Sequence, residues 1–401
     1  MKFALIKEHK NPPDTRVVLS PEACQKVITD YPEAEIIVES SDHRIFPDSY
    51  YSKMGFRVTN DVSEADVMLG VKEVPIEYLI PGKIYFFFSH TIKKQPYNRK
   101  LLGAILDKKI TLIDHETIVN EKGFRLIGFG YYAGVAGTYN GIRTYGLKSG
   151  TFELPKASSL QNRDALHDEL DKIKLPAIKI VLTGKGRVGS GAKEILDHMN
   201  IKEVSVDEYL NLEFDEAVYV NIDVLDYNER LDGQQLDMFD FFDHAEDYRS
   251  TFMRYSAVSD MFIAGHFYGD GAPLLISAKE IKKPNFKIKV VADISCDVDG
   301  PIVSTIRSST IEDPNYGYDP QSGIEVDYMN DNAIAVMAVD NLPCELPDNS
   351  SRGFGFQFLK HVMPAFFNND KDGILKRAKM TENGQLTERF SYLQDYVDGK
   401  D

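Results

Sequence analysis

The stretch KIVLTGKGRVGSGAKEILDHM, residues 179–199, decides the fold of this chain. An apolar run, KIVLT, leads into Gly184, Gly186 and Gly189 with the spacing GxGxxG, and an amphipathic run follows. The first glycine permits a tight turn, the second lets a pyrophosphate approach the backbone, and the third lets helix and strand pack closely. This context predicts a dinucleotide-binding sheet with the pyrophosphate at the helix N-terminus.

An acidic residue after the next strand would determine whether the domain binds NAD or NADP. Asp207 ends the strand-like run EVSVD, 18 residues beyond Gly189. A carboxylate there would bind a ribose 2′-OH and repel a 2′-phosphate. The alternative is that Asp207 caps the helix that follows. The next strand ends in Asp223 and Asp226 rather than arginine, so we expect NAD rather than NADP.

Apolar runs alternate with helical stretches on both sides of this segment. One sheet is predicted from runs at 2–7, 35–40, 66–74, 83–90 and 110–116, and a second from KIVLT with runs at 203–207, 216–223, 260–268, 288–295 and 333–340. Repeated βαβ units are typical of α/β proteins with parallel sheets. We expect two Rossmann-like domains with a cleft between them.

The expected domains have different tasks. Residues 1–135, completed by C-terminal helices in 350–401, would form a substrate and catalytic domain, and residues 136–349 an NAD-binding Rossmann domain. The Gly- and Tyr-rich segment 130–150 predicts a helix that crosses from one domain to the other.

Composition narrows the possible partners. The 401 residues carry a net charge of -16, which repels nucleic-acid phosphates. No run approaches the roughly 20 apolar residues of a membrane span, and the start MKFALIKEHK is unlike a signal peptide. Cys24, Cys296 and Cys344 lack CxxC spacing, which favours reduced thiols and a cytoplasmic location. We expect a small-molecule substrate, no nucleic-acid, membrane or metal partner, and a monomer or small homo-oligomer.

Three polar residues follow neighbouring strands of the first predicted sheet. Lys72 follows DVMLGV, His90 follows KIYFFFS and Glu116 follows TLID. Ligands of open parallel sheets bind at the carboxyl ends of the strands. Each residue alone has an ordinary structural explanation, but three adjacent strand ends together predict an acid–base site. Arg16 and Arg125 are candidates for a bidentate carboxylate clamp.

Several segments resemble a known superfamily. DTRVVLSPE, which contains Arg16, resembles the opening of the alanine dehydrogenase and transhydrogenase superfamily. Within it, GVKEVP, FFFSHTIKKQ, LIDHETI, FRLIGFGYYAG, ADISCDVDGPI and AVDNLPCELP resemble the NAD-dependent, L-lysine-forming saccharopine dehydrogenases. His90 with Gln95, and the FGYYAG segment, are the specific matches, because alanine dehydrogenases share the lysine and histidine but not that segment.

The resemblance implies a role for each matching residue. Lys72 and His90 would be the acid–base pair. Substrate would be bound by Arg16, Glu73, Gln95, Glu116, Arg125 and Phe129, and, from the second domain, by Ser295, Cys296 and Asp297. NAD would be held by Gly184, Gly186, Arg187, Val188, Gly189, Asp207, Ile294, Val339, Asp340, Asn341 and Leu342. The implied reaction is the reversible cleavage of saccharopine with NAD and water to L-lysine and 2-oxoglutarate.

Departures from the pattern leave alternatives open. Phe124 stands where a second basic residue is expected, and residues 225–275 look more like the lysine–2-oxoglutarate reductase domains of bifunctional enzymes, which use NADPH in the reverse sense. An alanine-dehydrogenase-like enzyme for another amino acid is a second alternative, against which FGYYAG and Gln95 argue. A non-enzymatic NAD-binding module is a third, against which Lys72 and His90 argue.

Overall fold

The computed structural model describes residues 1–235, 237–269 and 271–400. The chain divides into two compact units: Met1–Phe129 with Pro347–Asp401, and Gly130–Leu346. Each unit contains a largely parallel sheet, so the predicted α/β class is confirmed. Within the described ranges, no helix combines the length and apolar character that crossing a membrane requires.

The strands are distributed between the two units. They are β1 (Lys2–Leu5), β2 (Glu35–Glu39), β3 (Arg57–Thr59), β4 (Val67–Leu69), β5 (Ile84–Phe87), β6 (Thr111–Asp114), β7 (Lys179–Thr183), β8 (Lys202–Glu203), β9 (Val218–Ile222), β10 (Asn228–Arg230), β11 (Tyr248–Ser250), β12 (Met261–Ala264), β13 (Val290–Asp293), β14 (Asn315–Tyr318), β15 (Glu325–Val326), β16 (Ile334–Met337), β17 (Thr381–Glu382) and β18 (Gln385–Leu386).

The α-helices belong to both units. They are α1 (Pro21–Asp30), α2 (Asp48–Lys53), α3 (Arg99–Asp107), α4 (Gly130–Ser149), α5 (Arg163–Leu170), α6 (Arg187–His198), α7 (Val206–Asn211), α8 (Met238–Asp243), α9 (Met253–Ser256), α10 (Pro347–His361), α11 (Met363–Phe367), α12 (Ile374–Ala378) and α13 (Gln394–Asp398).

The first unit is built on a six-stranded parallel sheet with the order β3-β2-β1-β4-β5-β6. Side chains alternate between its faces: Phe3 and Leu5 enter one buried cluster, and Ala4 between them enters another. Burial on both faces explains why these strands read as continuous apolar runs. Because all six strands are parallel, their carboxyl ends lie along one edge of the sheet.

The second unit is built on an eight-stranded sheet with the order β15-β14-β16-β13-β12-β7-β9-β8. Its central strands are parallel, and β14 pairs antiparallel with both β15 and β16. Met261 and Ile263 face one cluster, whereas Phe262 faces the other. Between β9 and β12, β10 pairs antiparallel with β11, and α8 and α9 lie in the same part of the chain.

The glycines of 130–150 are explained by close packing of α4. A side chain at Gly134 would collide with the backbone of α6 near Val188, and one at Gly137 would lie 2.6 Å from the Ile294 side chain. A side chain at Gly141 would lie 2.6 Å from Ala292. The predicted helix is present, but it lies wholly within the second unit, so the expectation that it crosses between domains is wrong.

The strand predicted at 203–207 is also wrong. Only Lys202–Glu203 is strand, and Ser205 caps α7 through a reciprocal pair of hydrogen bonds with Glu208. Asp207 therefore lies in the first turn of a helix rather than at a strand end. Local hydrogen bonding by the serine side chain overrode the alternating pattern of the sequence.

Candidate active site

Three predicted residues of the first unit follow adjacent strands. Lys72 follows β4, His90 follows β5 and Glu116 follows β6, and these strands are hydrogen-bonded neighbours. Their carboxyl ends share one edge of the sheet. The structure thus brings the three residues to one edge, as the sequence predicted.

The best-defined contact of this site joins Glu73 and His90. Glu73 Oε1 lies 2.5 Å from His90 Nδ1, and Lys10 Nζ donates to Glu73 Oε2 at 2.7 Å. Burial alone would raise the pKa of Glu73, but the hydrogen bonds from His90 and Lys10 outweigh it and lower the pKa to about 2. Because an ionised carboxylate only accepts, His90 Nδ1 carries a proton and Nε2 is the basic nitrogen.

Asp114 connects the ends of β5 and β6 through hydrogen bonds. Its Oδ2 accepts from the backbone N–H of Ser89 at 2.7 Å and from the Ser89 hydroxyl, and its Oδ1 accepts from Glu116 N at 2.7 Å. Burial raises the pKa of this carboxyl to about 6, although the Ser89 hydroxyl opposes the change. Asp114 therefore positions the backbone next to His90 and at Glu116.

Arg16 is held differently from the carboxylate clamp that the sequence predicted. Its Nε and Nη2 donate to the two oxygens of Asp14 at 2.9 and 2.6 Å, and both side chains are 3% exposed. Its guanidinium also lies 4.2 Å from the centre of the Phe129 ring. Burial opposes ionisation of Asp14, yet the Arg16 charge holds the pKa of that carboxyl well below its usual range.

Arg125 and Gln95 are both more exposed than Arg16. Arg125 Nη2 donates to Glu116 Oε1 at 2.9 Å, and the arginine side chain is 44% exposed. Gln95 accepts from the Tyr97 hydroxyl through its side chain and from the Tyr396 hydroxyl at 2.6 Å through its backbone carbonyl. Of the two predicted arginines, Arg125 is the one that is exposed enough to meet a ligand.

Sequence reasoning missed Glu8, Lys10 and Asp14, which all lie in the polar loop after β1. Glu8 accepts from the backbone N–H groups of Val71 at 2.6 Å and Lys72 at 3.0 Å. The rule that identified residues after β4, β5 and β6 would have found Glu8 if it had also been applied to β1.

The second unit supplies a glycine turn between β7 and α6. Gly184 has φ of 93°, and a side chain there would collide with the carbonyl of Gly265. A side chain at Gly189 would collide with the backbone of Gly184, whereas no atom lies within 4 Å of the corresponding position at Gly186. The turn is thus crowded where it packs on the sheet and open at the N-terminus of α6.

This turn fits a dinucleotide pyrophosphate. Gly186 is the N-cap residue of a 12-residue helix and supplies no side-chain cap, so the first N–H groups of α6 are available to an anion. Arg187 is the first residue of that helix, and Val188 packs against Gly130 and Gly265. Gly186 and Arg187 are therefore suited to contact a ligand, and Val188 to support the turn.

Sheet order changes which acid is suited to bind the ribose. β9, not β8, pairs with β7, so Asp223 follows the strand next to the glycine turn. Lys185 in the turn pairs with Asp223 at 3.3 Å and Asp226 at 3.2 Å. Asp207 is exposed and its carboxylate accepts from Asn211 Nδ2 at 2.9 Å. The structure therefore favours Asp223 over Asp207 as the residue that would bind the ribose.

Residues after β13 connect neighbouring strand ends. Ser295 Oγ donates to the carbonyls of Ala264 and His266 at 3.2 and 3.0 Å, and Cys296 Sγ donates to Ala338 O at 3.0 Å. Burial raises the pKa of the Cys296 thiol to about 12, so it is no nucleophile. Asp297 follows in the same loop. The predicted substrate contacts of Ser295, Cys296 and Asp297 stay predictions.

The predicted cofactor residues after β13 and β16 are mostly buried. Ile294, Val339 and Leu342 are 8%, 1% and 1% exposed, and Ile294 and Leu342 both pack at Gly137 of α4. Asp340 is exposed, and Asn341 precedes the short helical turn that begins at Leu342. Any cofactor contact made by the three apolar residues would therefore come mainly from their backbone.

Comparison with known structures defines the class of fold. The chain is similar to L-alanine dehydrogenase, with a TM-score of 0.66, 17% identity and complete coverage of both chains. Residues 4–136 match the family model for the alanine dehydrogenase/PNT N-terminal domain. The predicted resemblance to this superfamily is therefore confirmed.

Two groups of proteins are similar to this chain in sequence. The chain is 29% identical to the mitochondrial alpha-aminoadipic semialdehyde synthase of Bos taurus over 98% of its own length and 47% of that protein. It is 24% identical to the saccharopine dehydrogenase [NAD(+), L-lysine-forming] of Yarrowia lipolytica, covering 89% of this chain and 90% of that protein. The predicted resemblance to saccharopine dehydrogenases is confirmed. The chain spans less than half the length of the semialdehyde synthases that it matches.

Proposed function

We propose that this protein is an NAD-dependent dehydrogenase that cleaves saccharopine with water to L-lysine and 2-oxoglutarate, reversibly. The observation that carries the proposal is the placement of Lys72 beside the Glu73–His90 pair at neighbouring strand ends. Two proton-transfer groups of different type suit a reaction with an amine and a carbinolamine. The relatives support the same class, a dehydrogenase acting on a CH–NH bond.

The chemistry assigns different tasks to the two groups. Lys72, in its neutral form, would accept the proton of the substrate's secondary amine. His90 Nε2 would take a proton from water as it adds to the imine carbon, and would return one to the leaving nitrogen when the carbinolamine collapses. Glu73 would keep His90 in the required tautomer by accepting from Nδ1.

The cofactor would be held by the second unit. The N-terminus of α6, with Gly186 and Arg187, would bind the pyrophosphate, and Asp223 would bind the adenosine ribose. When bound, NAD supplies the hydride acceptor that the oxidation requires. The carboxylates of Asp223 and Asp226 would disfavour a 2′-phosphate, which supports NAD over NADP.

The substrate carries three carboxylates, whereas the chain has a net charge of -16. A local cation is therefore needed. Arg125 supports this role because its side chain is accessible and its contact with the carboxylate of Glu116 is one that a substrate could displace. Arg16 would instead organise the site through Asp14 and Phe129.

A specific observation favours a second candidate, the NADPH-dependent lysine–2-oxoglutarate reductase. The semialdehyde synthases match this chain at 26–29% identity, above the 22–24% of the saccharopine dehydrogenases. The acidic surroundings of Lys185 argue against it. Cytoplasmic location and a monomer or small homo-oligomer stay predictions.

The test is an absorbance assay at 340 nm with each cofactor and substrate in turn. We expect NADH oxidation with lysine plus 2-oxoglutarate, and NAD reduction with saccharopine, both faster than with the phosphorylated cofactors. Faster turnover of NADPH would favour the reductase. Turnover of alanine with pyruvate formation, or of no substrate at all, would contradict the proposal.

A further inference from the structure

We propose that Glu8 is the positioning residue for Lys72: its carboxylate fixes the backbone at the end of β4 and, where it is ionised, balances the charge around the lysine amine. This inference deepens the proposed function and rests on it. Glu8 lies in the loop after β1 and contacts Lys72 only through the backbone among its described hydrogen bonds.

The carboxylate of Glu8 extends the β1–β4 ladder after the strands separate. The pairing ends at Leu5 and Leu69, and one more bond follows from Ile6 N to Leu69 O at 3.1 Å. Beyond it, Glu8 Oε1 accepts from Val71 N at 2.6 Å and Oε2 from Lys72 N at 3.0 Å. One side chain thus satisfies two consecutive backbone donors where the strand pairing has ended.

The other side of the same peptide is also held. Phe88 N donates to Val71 O at 2.9 Å, and Gly70 N donates to Phe86 O at 2.9 Å, so β5 fixes the segment from its opposite edge. A side chain at Gly70 would lie 2.9 Å from Ile6 Cδ1, which keeps this crossing tight. Glu8 is therefore the element on the β1 side that decides where the backbone of Lys72 lies.

Charge links Glu8 to the amine of Lys72. Asp14 and Arg16, from the loop after β1, act on Glu8, and Asp14 in turn feels the charge of Lys72. Two acids and two bases make a group that is balanced when all four are ionised. Burial raises the pKa of Glu8 to about 8, despite the two amide hydrogen bonds and Arg16, so its charge changes near neutral pH.

The sign of the effect follows from Coulomb's law. Ionised Glu8 favours the protonated form of Lys72, whereas a base must be neutral to accept the substrate proton. Because Glu8 is ionised only above about pH 8, removing its charge makes the neutral lysine available at lower pH within that alkaline range.

The experiment compares Glu8→Gln with wild type and with Glu39→Gln. Glu39 is a matched control, since it is the last residue of β2 and also accepts a backbone N–H, that of Lys7 at 2.7 Å. We expect Glu8→Gln to lower kcat/KM about ten-fold and, above about pH 8 where wild-type Glu8 is ionised, to move the rising limb of the pH profile to lower pH. Glu8→Asp, which keeps the charge but not the reach, should restore the profile more than the rate.

A second measurement separates this inference from the proposed function. The rate at which an amine-reactive anhydride labels Lys72, followed by mass spectrometry across pH, should rise at lower pH in Glu8→Gln than in wild type. Unchanged labelling and an unchanged profile, or an equal change in Glu39→Gln, would overturn the role of Glu8. A Glu8-dependent labelling shift in a chain without saccharopine turnover would overturn the proposed function alone.

Discussion

The carboxyl-end edges of the two sheets carry different kinds of residues. In the first unit the edge carries paired charges, such as Glu73 with His90 and Asp14 with Arg16. In the second unit the edge is made of glycines and buried apolar residues, and its charges concentrate at Lys185, Asp223 and Asp226.

The difference shows how one architecture serves two kinds of ligand. A site for proton transfer needs side chains with defined charge and orientation, so each is held by a partner. A site for a pyrophosphate needs backbone N–H groups and space, so side chains are absent. Mutations should accordingly act through lost chemistry in the first unit and through lost space in the second.

The largest expected effect concerns the acid–base pair. Lys72→Met and His90→Gln should each lower kcat by about 10²–10⁴-fold, the usual contribution of general acid–base catalysis. NAD binding, measured by fluorescence quenching, should be unchanged, because neither residue lies in the second unit. Near wild-type turnover in both variants would make these residues structural.

Arg16 and Arg125 should separate stability from substrate binding. Arg16→Ala removes the buried salt bridge to Asp14, which should lower the free energy of unfolding in urea by about 3–5 kcal/mol. Arg125→Ala should leave stability nearly unchanged and raise KM for saccharopine roughly ten-fold. A stable Arg16→Ala protein with a selectively raised KM would restore the clamp predicted from the sequence.

Two glycines of one motif should fail in different ways. Gly189→Ala forces a side chain into the backbone of Gly184 and should lower the melting temperature together with NAD affinity. Gly186→Ala meets no atom within 4 Å, so it should fold normally and weaken NAD binding alone. Calorimetry of both variants checks this, and equal melting temperatures with equal NAD affinities would refute it.

The smallest expected effect concerns cofactor choice. Asp223→Ser should lower the ratio of kcat/KM for NAD over NADP by roughly ten-fold, through loss of one charge-assisted hydrogen bond and one repulsion. Asp207→Ser is the matched control and should leave the ratio unchanged, since Asp207 faces Asn211. The reverse result would show that the ribose meets α7.

Prediction from the sequence succeeded where a pattern is local. The glycine spacing identified the β7–α6 turn. The apolar runs located β1, β2, β4, β5 and β6 of the first sheet, and β7, β9, β12, β13 and β16 of the second. It failed for β3, which has three residues, and for β14, whose antiparallel pairing interrupts the βαβ rhythm. It also failed to place Asp207 in a helix, because the helix begins at a capping serine, Ser205, that the alternating pattern hid.

The sequence by itself determined the class of fold and the residues after β4, β5 and β6, because strand period and glycine spacing are properties of neighbouring residues. Only the tertiary structure decided which strands are adjacent, and therefore that Asp223 rather than Asp207 follows the strand beside the glycine turn. It also decided that Arg16 is committed to Asp14 and that Glu8 holds Lys72. The Glu8 contact joins the loops after β1 and β4, and the pairing of Arg16 with Asp14 depends on the burial of both side chains, which no local pattern encodes.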